Sequence, residues 1–404
     1  MPTQATGVKK VVAIKRETTF GTPAGASGAQ AMRRVKSEIN LAKDVYQSNE
    51  IRTDFQISDY RHGVRRVKGT LGGELSPKTY SDVLSAMMKR DFTAGVAVTG
   101  ASITIAASGS TYTITRSAGS YLSDNVKIGD VIQLTAGSFN AANLNKNVLV
   151  IGLTATVATG VVLNGSAMVA EGPIATATVS VIGKKTYIPV SGHTDISYSL
   201  EHWFSDIGQS ELFTGVKFDK VDIQLPATGM ATCNFEVLGQ NITTGTSQYF
   251  TSPTALTTSG VVAAVNGLLV ANGTVYGIVT GMNLTIDPTL SGDPVVGANV
   301  VPFLFPGPIK VTGQFTAYFQ DGTLRDLFIN ETESSLMVVL STDNTASANF
   351  IAFTLPRIKV GDAAKSDGTG GIVQTFPFQA LLNINGGTGT TGEQTTVVVQ
   401  DSLA

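Results

Sequence analysis

Cysteine is nearly absent. Cys233 is the single thiol in 404 residues, which excludes an intrachain disulfide framework and a zinc site built on several thiolates. A lone cysteine reads as a small buried apolar residue. Histidine is almost as scarce: His62, His193 and His202 are scattered, in no H-x-H or H-E-x-x-H pattern, so each reads as a surface or interface residue. Charged residues make up 14% of the chain, well below the usual quarter or so. Net charge is −2, so no general basic field exists to hold nucleic acid. No run approaches the roughly 18 apolar residues of a membrane span, and residues 1–20 lack a signal-peptide core. The chain is therefore expected to stay in the cytoplasm where it is made, and the sequons at Asn241 and Asn272 read as chance matches.

Glycine (43 residues), Thr, Ala, Val and Ser fill the place of charge. A surface of this kind suits strands that neighbours will cover, since a dispersed monomer ordinarily carries more charge. The length exceeds what one core serves, so two or three packed units are expected. β-Branched runs dominate, at 8–14, 64–75, 102–105, 112–115, 130–134, 148–153, 221–225, 309–319 and 397–399, separated by Gly, Asn, Asp and Pro clusters. Two places read as helix. In the first, Ser76 is a natural N-cap and Pro77 a natural first helical residue. Tyr80, Val83, Leu84, Met87 and Met88 then form one apolar stripe, with Lys89 and Arg90 closing the last turn. A shorter helix follows Asp321-Gly322, with Leu324, Leu327 and Phe328 on one face.

These two places belong to a longer repeat. Residues 63–84 align without gaps on 307–328, matching Gly63 to Gly307, Val67 to Val311, Gly69 to Gly313, Thr79 to Thr323 and Asp82 to Asp326. Asn40-Leu41 nearly matches Asn283-Leu284, residues 221–226 resemble 351–356, and residues 234–238 can be set beside 376–380. The first copy is longer in its interior, and residues 93–187 fit an inserted small β-barrel or sandwich.

Catalytic chemistry needs converging titratable groups, and the sequence nominates no catalytic, cofactor-binding or metal-ligating residue. Asp222 and Glu236 lie on expected strands with no partner that would make an acid–base pair. The tract at residues 386–392 lacks the Gly-Lys-Ser/Thr ending of a phosphate loop and reads as a flexible connection. Arg61, His62, Arg65, Arg66 and Lys68 form a basic cluster. It reads either as a phosphate-contacting strand or as a polar face paired with Glu50, Asp54 and Asp59; the paired face is favoured. Trp203 with Phe204 reads as a packing anchor.

VVAIKRETTFGTPA (11–24), residues 40–84 with their Glu50-Ile51-Arg52, Gly69 and Ser76-Pro77 landmarks, and residues 202–240 resemble the tail tube proteins of long-tailed bacteriophages. Residues 113–137 resemble small β-domains that decorate such proteins. The resemblance implies a mainly β fold of tandem tail-tube modules, each a β-sandwich or half-barrel flanked by one α-helix. The expected division is 1–92 and 188–248 for the first module, 93–187 for the inserted β-domain, 249–275 for a linker and 276–404 for the second module. It also implies a non-enzymatic virion protein whose sheets join edge to edge into rings, stacked as a hollow tube through which DNA passes during genome ejection. With two modules per chain, the expected ring holds three chains, the alternative being six. Expected partners are other copies, the tape measure protein, and the tail terminator and distal tail proteins; neither membrane nor sequence-specific DNA binding is implied. Assembly is expected in the host cytoplasm, with residues 93–187 as an outward, dispensable knob. A surface decoration or adhesin β-protein is the alternative reading.

Overall fold

A computed structural model describes residues 4–367 and 369–404. The protein is mainly β, with two short helices, a large antiparallel sheet system and a closed six-strand barrel.

Seven strands run side by side in one polar-faced sheet. Their order is Lys36–Gln47, Tyr60–Glu74, Thr232–Gly239, the C-terminal half of Gln209–Pro226, Val279–Asp287, Lys310–Tyr318 and Val373–Ala380. Period-two alternation in the sequence dictates their two faces. Val67 and Leu71 are fully buried, whereas Arg66, Lys68, Thr70 and Glu74 lie on the opposite face, as do Thr312, Gln314 and Thr316 opposite Val311 and Phe315. The buried face packs on a second layer. One part of that layer is Lys10–Arg16, Tyr198–Phe204 and the N-terminal half of Gln209–Pro226. The other is Gly267–Ala271, Ser334–Ser341, Phe350–Val360 and Val398–Asp401. A common core joins them, including Ile14, Val67, Leu71, Phe235, Leu284, Phe315, Phe353 and Phe376.

Pairing around Gly69 recurs around Gly313. Ile39 faces Gly69 and Leu284 faces Gly313; Val237 faces Gly69 and Phe378 faces Gly313. These registers correct the expected flanking matches. Leu284 corresponds to Ile39 rather than Leu41, a shift of two that keeps the same face, and Val237 corresponds to Phe378 rather than Gln379. Tyr198 faces Val216 and Leu200 faces Phe213, as Ser334 faces Ile358 and Leu336 faces Leu355. Leu355 thus corresponds to Phe213, not to Leu225. Both glycines answer one steric demand: a Cβ on Gly69 would lie 2.0 Å from the Glu38 carbonyl oxygen, and one on Gly313 would lie 2.3 Å from that of Asn283.

Helix α1 spans Ser81–Met87 and α2 spans Thr323–Ile329. The first begins a turn later than its sequence suggests because Lys78 sits at φ +71°. Ser76 does not cap it; its hydroxyl pairs with that of Thr79 at 2.7 Å. Asp401, at the far end of the chain, accepts from the Lys78 N–H and the Ser81 hydroxyl at 2.7 Å each. Lys89, at φ +59°, ends the helix, and its ammonium meets Asp195 at 2.8 Å. The second helix buries Leu324 and leaves Phe328 exposed, so its apolar face is narrower than expected.

The barrel order is Val157–Val162, Thr111–Arg116, Ala97–Ser108, Glu171–Val181, Val131–Ala136 and Val148–Leu153, which closes back on the first. Its interior holds Ile103, Ile105, Ile114, Tyr121, Val150 and Val179. Thr93–Ala94 and Lys184–Tyr187, inside the segment 93–187, instead extend the large sheet through Val398–Asp401. Residues 249–275, expected as a linker, contain the Gly267–Ala271 strand and the fully buried Phe250.

Nor is the barrel a free knob. Its outer residues Val131, Leu149 and Val161 form a core with Val270, Met337, Val339, Phe350 and Ala352 of the second layer. Asn147 donates to the Ala348 carbonyl at 2.8 Å, and Asn164 to the Ser341 hydroxyl at 2.8 Å. Buried Lys185 bridges Asp130 at 3.2 Å and Glu393 at 3.0 Å. The tract 386–392 is tied down rather than loose: the Gly387 and Thr390 carbonyls accept from the Lys127 ammonium at 2.6 and 2.8 Å.

Candidate assembly interface

Three surfaces remain once the core is accounted for: a polar sheet face, two sheet edges and a projecting hairpin.

The polar face is charged on one side and nearly neutral on the other. Asp222 and Glu236 converge on Lys220, at 2.9 and 3.4 Å, and the Thr285 hydroxyl donates to Asp222 at 2.6 Å. Lys36 pairs with Glu38 at 2.8 Å, and Arg66 with Asp44 at 2.7 Å. The two carboxylates thus have a shared cation, a partner that sequence reasoning had not supplied. Past the Gln209–Pro226 strand the same face continues with Asn283, Thr312, Gln314, Thr316, Thr375 and Gln379. Positive charges here are mostly matched locally by carboxylates, which leaves little net attraction for phosphate.

The basic cluster follows this pattern in part, since Lys68 and His62 have no ion pair among the described residues. Arg61 pairs with Asp59 at 2.9 Å and Arg66 with Asp44, while Arg65 donates to the Asn241 side chain. Glu50 and Asp54 turn to Arg52 instead. The three histidines do not meet. His62 and His193 are exposed, but His202 is buried, contrary to its expected surface position, with Nε2 2.8 Å from the Ser37 hydroxyl. Burial lowers its pKa from the ordinary value, partly offset by Glu211. Trp203 is half-buried on the Tyr198–Phe204 strand, and Cys233 is buried in the core, where burial pushes its thiol pKa far up.

At the rim of the core, the partly exposed Asp195 joins two buried lysines, Lys89 at 2.8 Å and Lys217 at 2.6 Å. Burial raises the carboxyl pKa, but the bonds to Lys217 and Lys89 outweigh it and hold it below the usual range. Glu17 is similarly enclosed, accepting from Ser197, Ser199, Gly21 and Gly215. Both carboxylates stand in connecting segments and tie them to the neighbouring strands.

Sheet edges carry the second surface. Lys36–Gln47 pairs only with Tyr60–Glu74, and the short Ala364–Lys365 strand only with Val373–Ala380, among the described residues. Unpaired edges of this kind are templates for another strand. The third surface is the distal part of the hairpin between these first two strands. Ile51 and Phe55 are 101% and 98% exposed, and Tyr46, Ile57 and Tyr60 are also exposed. Apolar side chains in such density, on a tip without a core of its own, mark a contact site.

The chain matches the phage tail tube protein family over residues 7–380 and belongs to it. Its role is accordingly that of a structural, non-enzymatic protein of the virion tail, one that assembles with itself into a tube. No curated protein matches the chain.

Proposed function

We propose that the chain is a tandem tail tube subunit, with two tube modules in one polypeptide and the barrel inserted in the first. Three chains close a ring of six modules, and stacked rings form the hollow conduit for DNA. One observation carries this reading. The edge of Gln209–Pro226 is already occupied, within the chain, by Val279–Asp287, with Val221 opposite Ile286 and Pro226 opposite Gly281. Strands from two similar units thus meet edge to edge inside one molecule, and repeating that joint between chains gives a closed ring without exposed edges. The recurrent registers around Gly69 and Gly313 support the two-module count.

The polar face is the reading's lumen lining, because its charges are largely paired and it would pass DNA without gripping it. The hairpin tip, with Ile51 and Phe55, reaches the adjacent ring. Assembly takes place in the host cytoplasm, with the tape measure, terminator and distal tail proteins as further partners. Cryo-electron microscopy of assembled tubes tests the count. Three chains per ring are expected; six would overturn the tandem reading, and lone particles would favour a decoration protein.

A further inference from the structure

The joint inside the chain has counterparts, residue by residue, on the two unpaired edges. Within one molecule Val221, Asp222 and Ile223 lie opposite Ile286, Thr285 and Leu284. Each trio has a counterpart on an unpaired edge. Leu41 faces Val67 as Ile286 faces Val311, and Ile39 faces Gly69 as Leu284 faces Gly313, so Ile39, Asn40 and Leu41 stand for Leu284, Thr285 and Ile286. On the other edge, Phe376 faces Phe315 as Phe235 faces Leu71. Thr375 therefore stands for Asn234. Because Ala364 faces Thr375 as Asp222 faces Asn234, residues 363–365 stand for 221–223. An identical slip of register precedes both trios, between Phe218 and Lys220 in one and between Val360 and Ala364 in the other.

Resting on the ring reading above, we infer that a second copy of this chain lays its Lys36–Gln47 strand antiparallel on residues 363–365. Leu41 of one copy lies opposite Ala363 of the other, Asn40 opposite Ala364, and Ile39 opposite Lys365. Parity of faces is kept. Ile39 is buried and Ala363 packs against the core, so Ile39 and Leu41 continue the apolar layer while Asn40 continues the polar one. Lys365 occupies the place of Ile223. Its ammonium lies 3.8 Å over the Phe319 ring, leaving the aliphatic stem to meet Ile39. The faces of Ile39 and Leu41 are already fixed by pairing within their own chain, so a one-residue slip would set them opposite residues that point to the polar face, and the register is strongly determined.

Cysteine cross-linking tests the register. Directly opposed residues of an antiparallel pair lie within disulfide reach, and Cys233 is buried and does not compete. The variant N40C/A364C, oxidised in assembled tubes, is expected to give a reducible ladder ending at three chains. The control N40C/D362C, set two residues out of register, is expected to lose it. Preferential linking of the control overturns the register, as does absence of linking by either pair while the tubes remain intact by electron microscopy. Should the paired variant fail to fold, hydrogen exchange on the natural chain replaces it: amides of 39–41 and 363–365 are expected to gain protection together on assembly, and unchanged exchange at either trio overturns the joint. A natural chain that forms no rings overturns the ring reading itself, and this joint with it.

Discussion

Excising the barrel is the sharpest test of how the tertiary structure holds together. The cut is sterically simple, because the Gly95 N–H donates to the Gly183 carbonyl at 3.0 Å, so residues 96–182 can be removed and the ends joined directly. Closure entropy is therefore not the obstacle. Removal strips Val131, Leu149 and Val161 from the faces of Val270, Met337, Val339, Phe350 and Ala352. Four of those five are large side chains now almost fully buried. At about 1.5–3 kcal/mol for each, re-exposure costs ~6–12 kcal/mol as an upper bound. That is comparable with the roughly 5–15 kcal/mol that holds a whole domain folded. The Lys185–Glu393 pair also loses Asp130, and the Ala348 carbonyl and Ser341 hydroxyl lose their amide donors. We expect the shortened chain to lose its cooperative melt in circular dichroism and to elute as aggregate. Adding M337T, V339T and F350T, which make the uncovered face polar, is expected to restore part of the soluble fraction. A shortened chain that melts within a few degrees of the parent, and stays monodisperse, would refute the docking argument and return the barrel to a dispensable knob.

Other perturbations address single contacts. Gly313→Ala forces a Cβ against the Asn283 carbonyl and the Phe378 ring, between strands held on both sides, and is expected to cost about 2–3 kcal/mol in denaturant unfolding. Gly69→Ala presses instead on a free edge strand and is expected to destabilise the isolated chain less while reducing tube yield; equal destabilisation by both would contradict this. Asp195→Asn leaves buried Lys89 and Lys217 without their carboxylate and is expected to cost ~1–3 kcal/mol. Because the folded carboxyl is held below its unfolded value of 3.8, its contribution is full above that value and is lost as pH falls through the folded one. The variant should therefore flatten the stability profile below about pH 4, and an unchanged acid limb would count against the pairing. Replacing Ile51 and Phe55 together by Asp should leave the melting temperature within about 1 °C, since these side chains contact no core, yet abolish stacked tubes in electron micrographs.

Much of the strand pattern follows from the sequence alone. Alternating Val67, Leu71 and Leu75 against Arg66, Lys68, Thr70 and Glu74 fixes two faces wherever the strand is placed, because successive side chains must point to opposite sides. The matched Gly69 and Gly313 announce a repeat, since a close approach of a neighbouring carbonyl tolerates no Cβ. The apolar runs Leu336–Leu340 and Phe350–Phe353 were not among the runs read as strands above, although unbroken apolar sequence is the mark of strands buried on both faces; it does not say what covers the second face. Tertiary structure alone decided the rest. Ser76-Pro77 is a sound local start for a helix, but Asp401 fixes the real one at Ser81 from the other end of the chain. Flanking matches drawn from local similarity slipped by one, two or twelve residues, because register is set by pairing across strands and bulges, which no linear alignment contains. The packing of the barrel on the strands of residues 267–271, 334–341 and 350–360 was hidden for the same reason. Composition can mark a segment as an insertion, but only packing determines which buried face it covers.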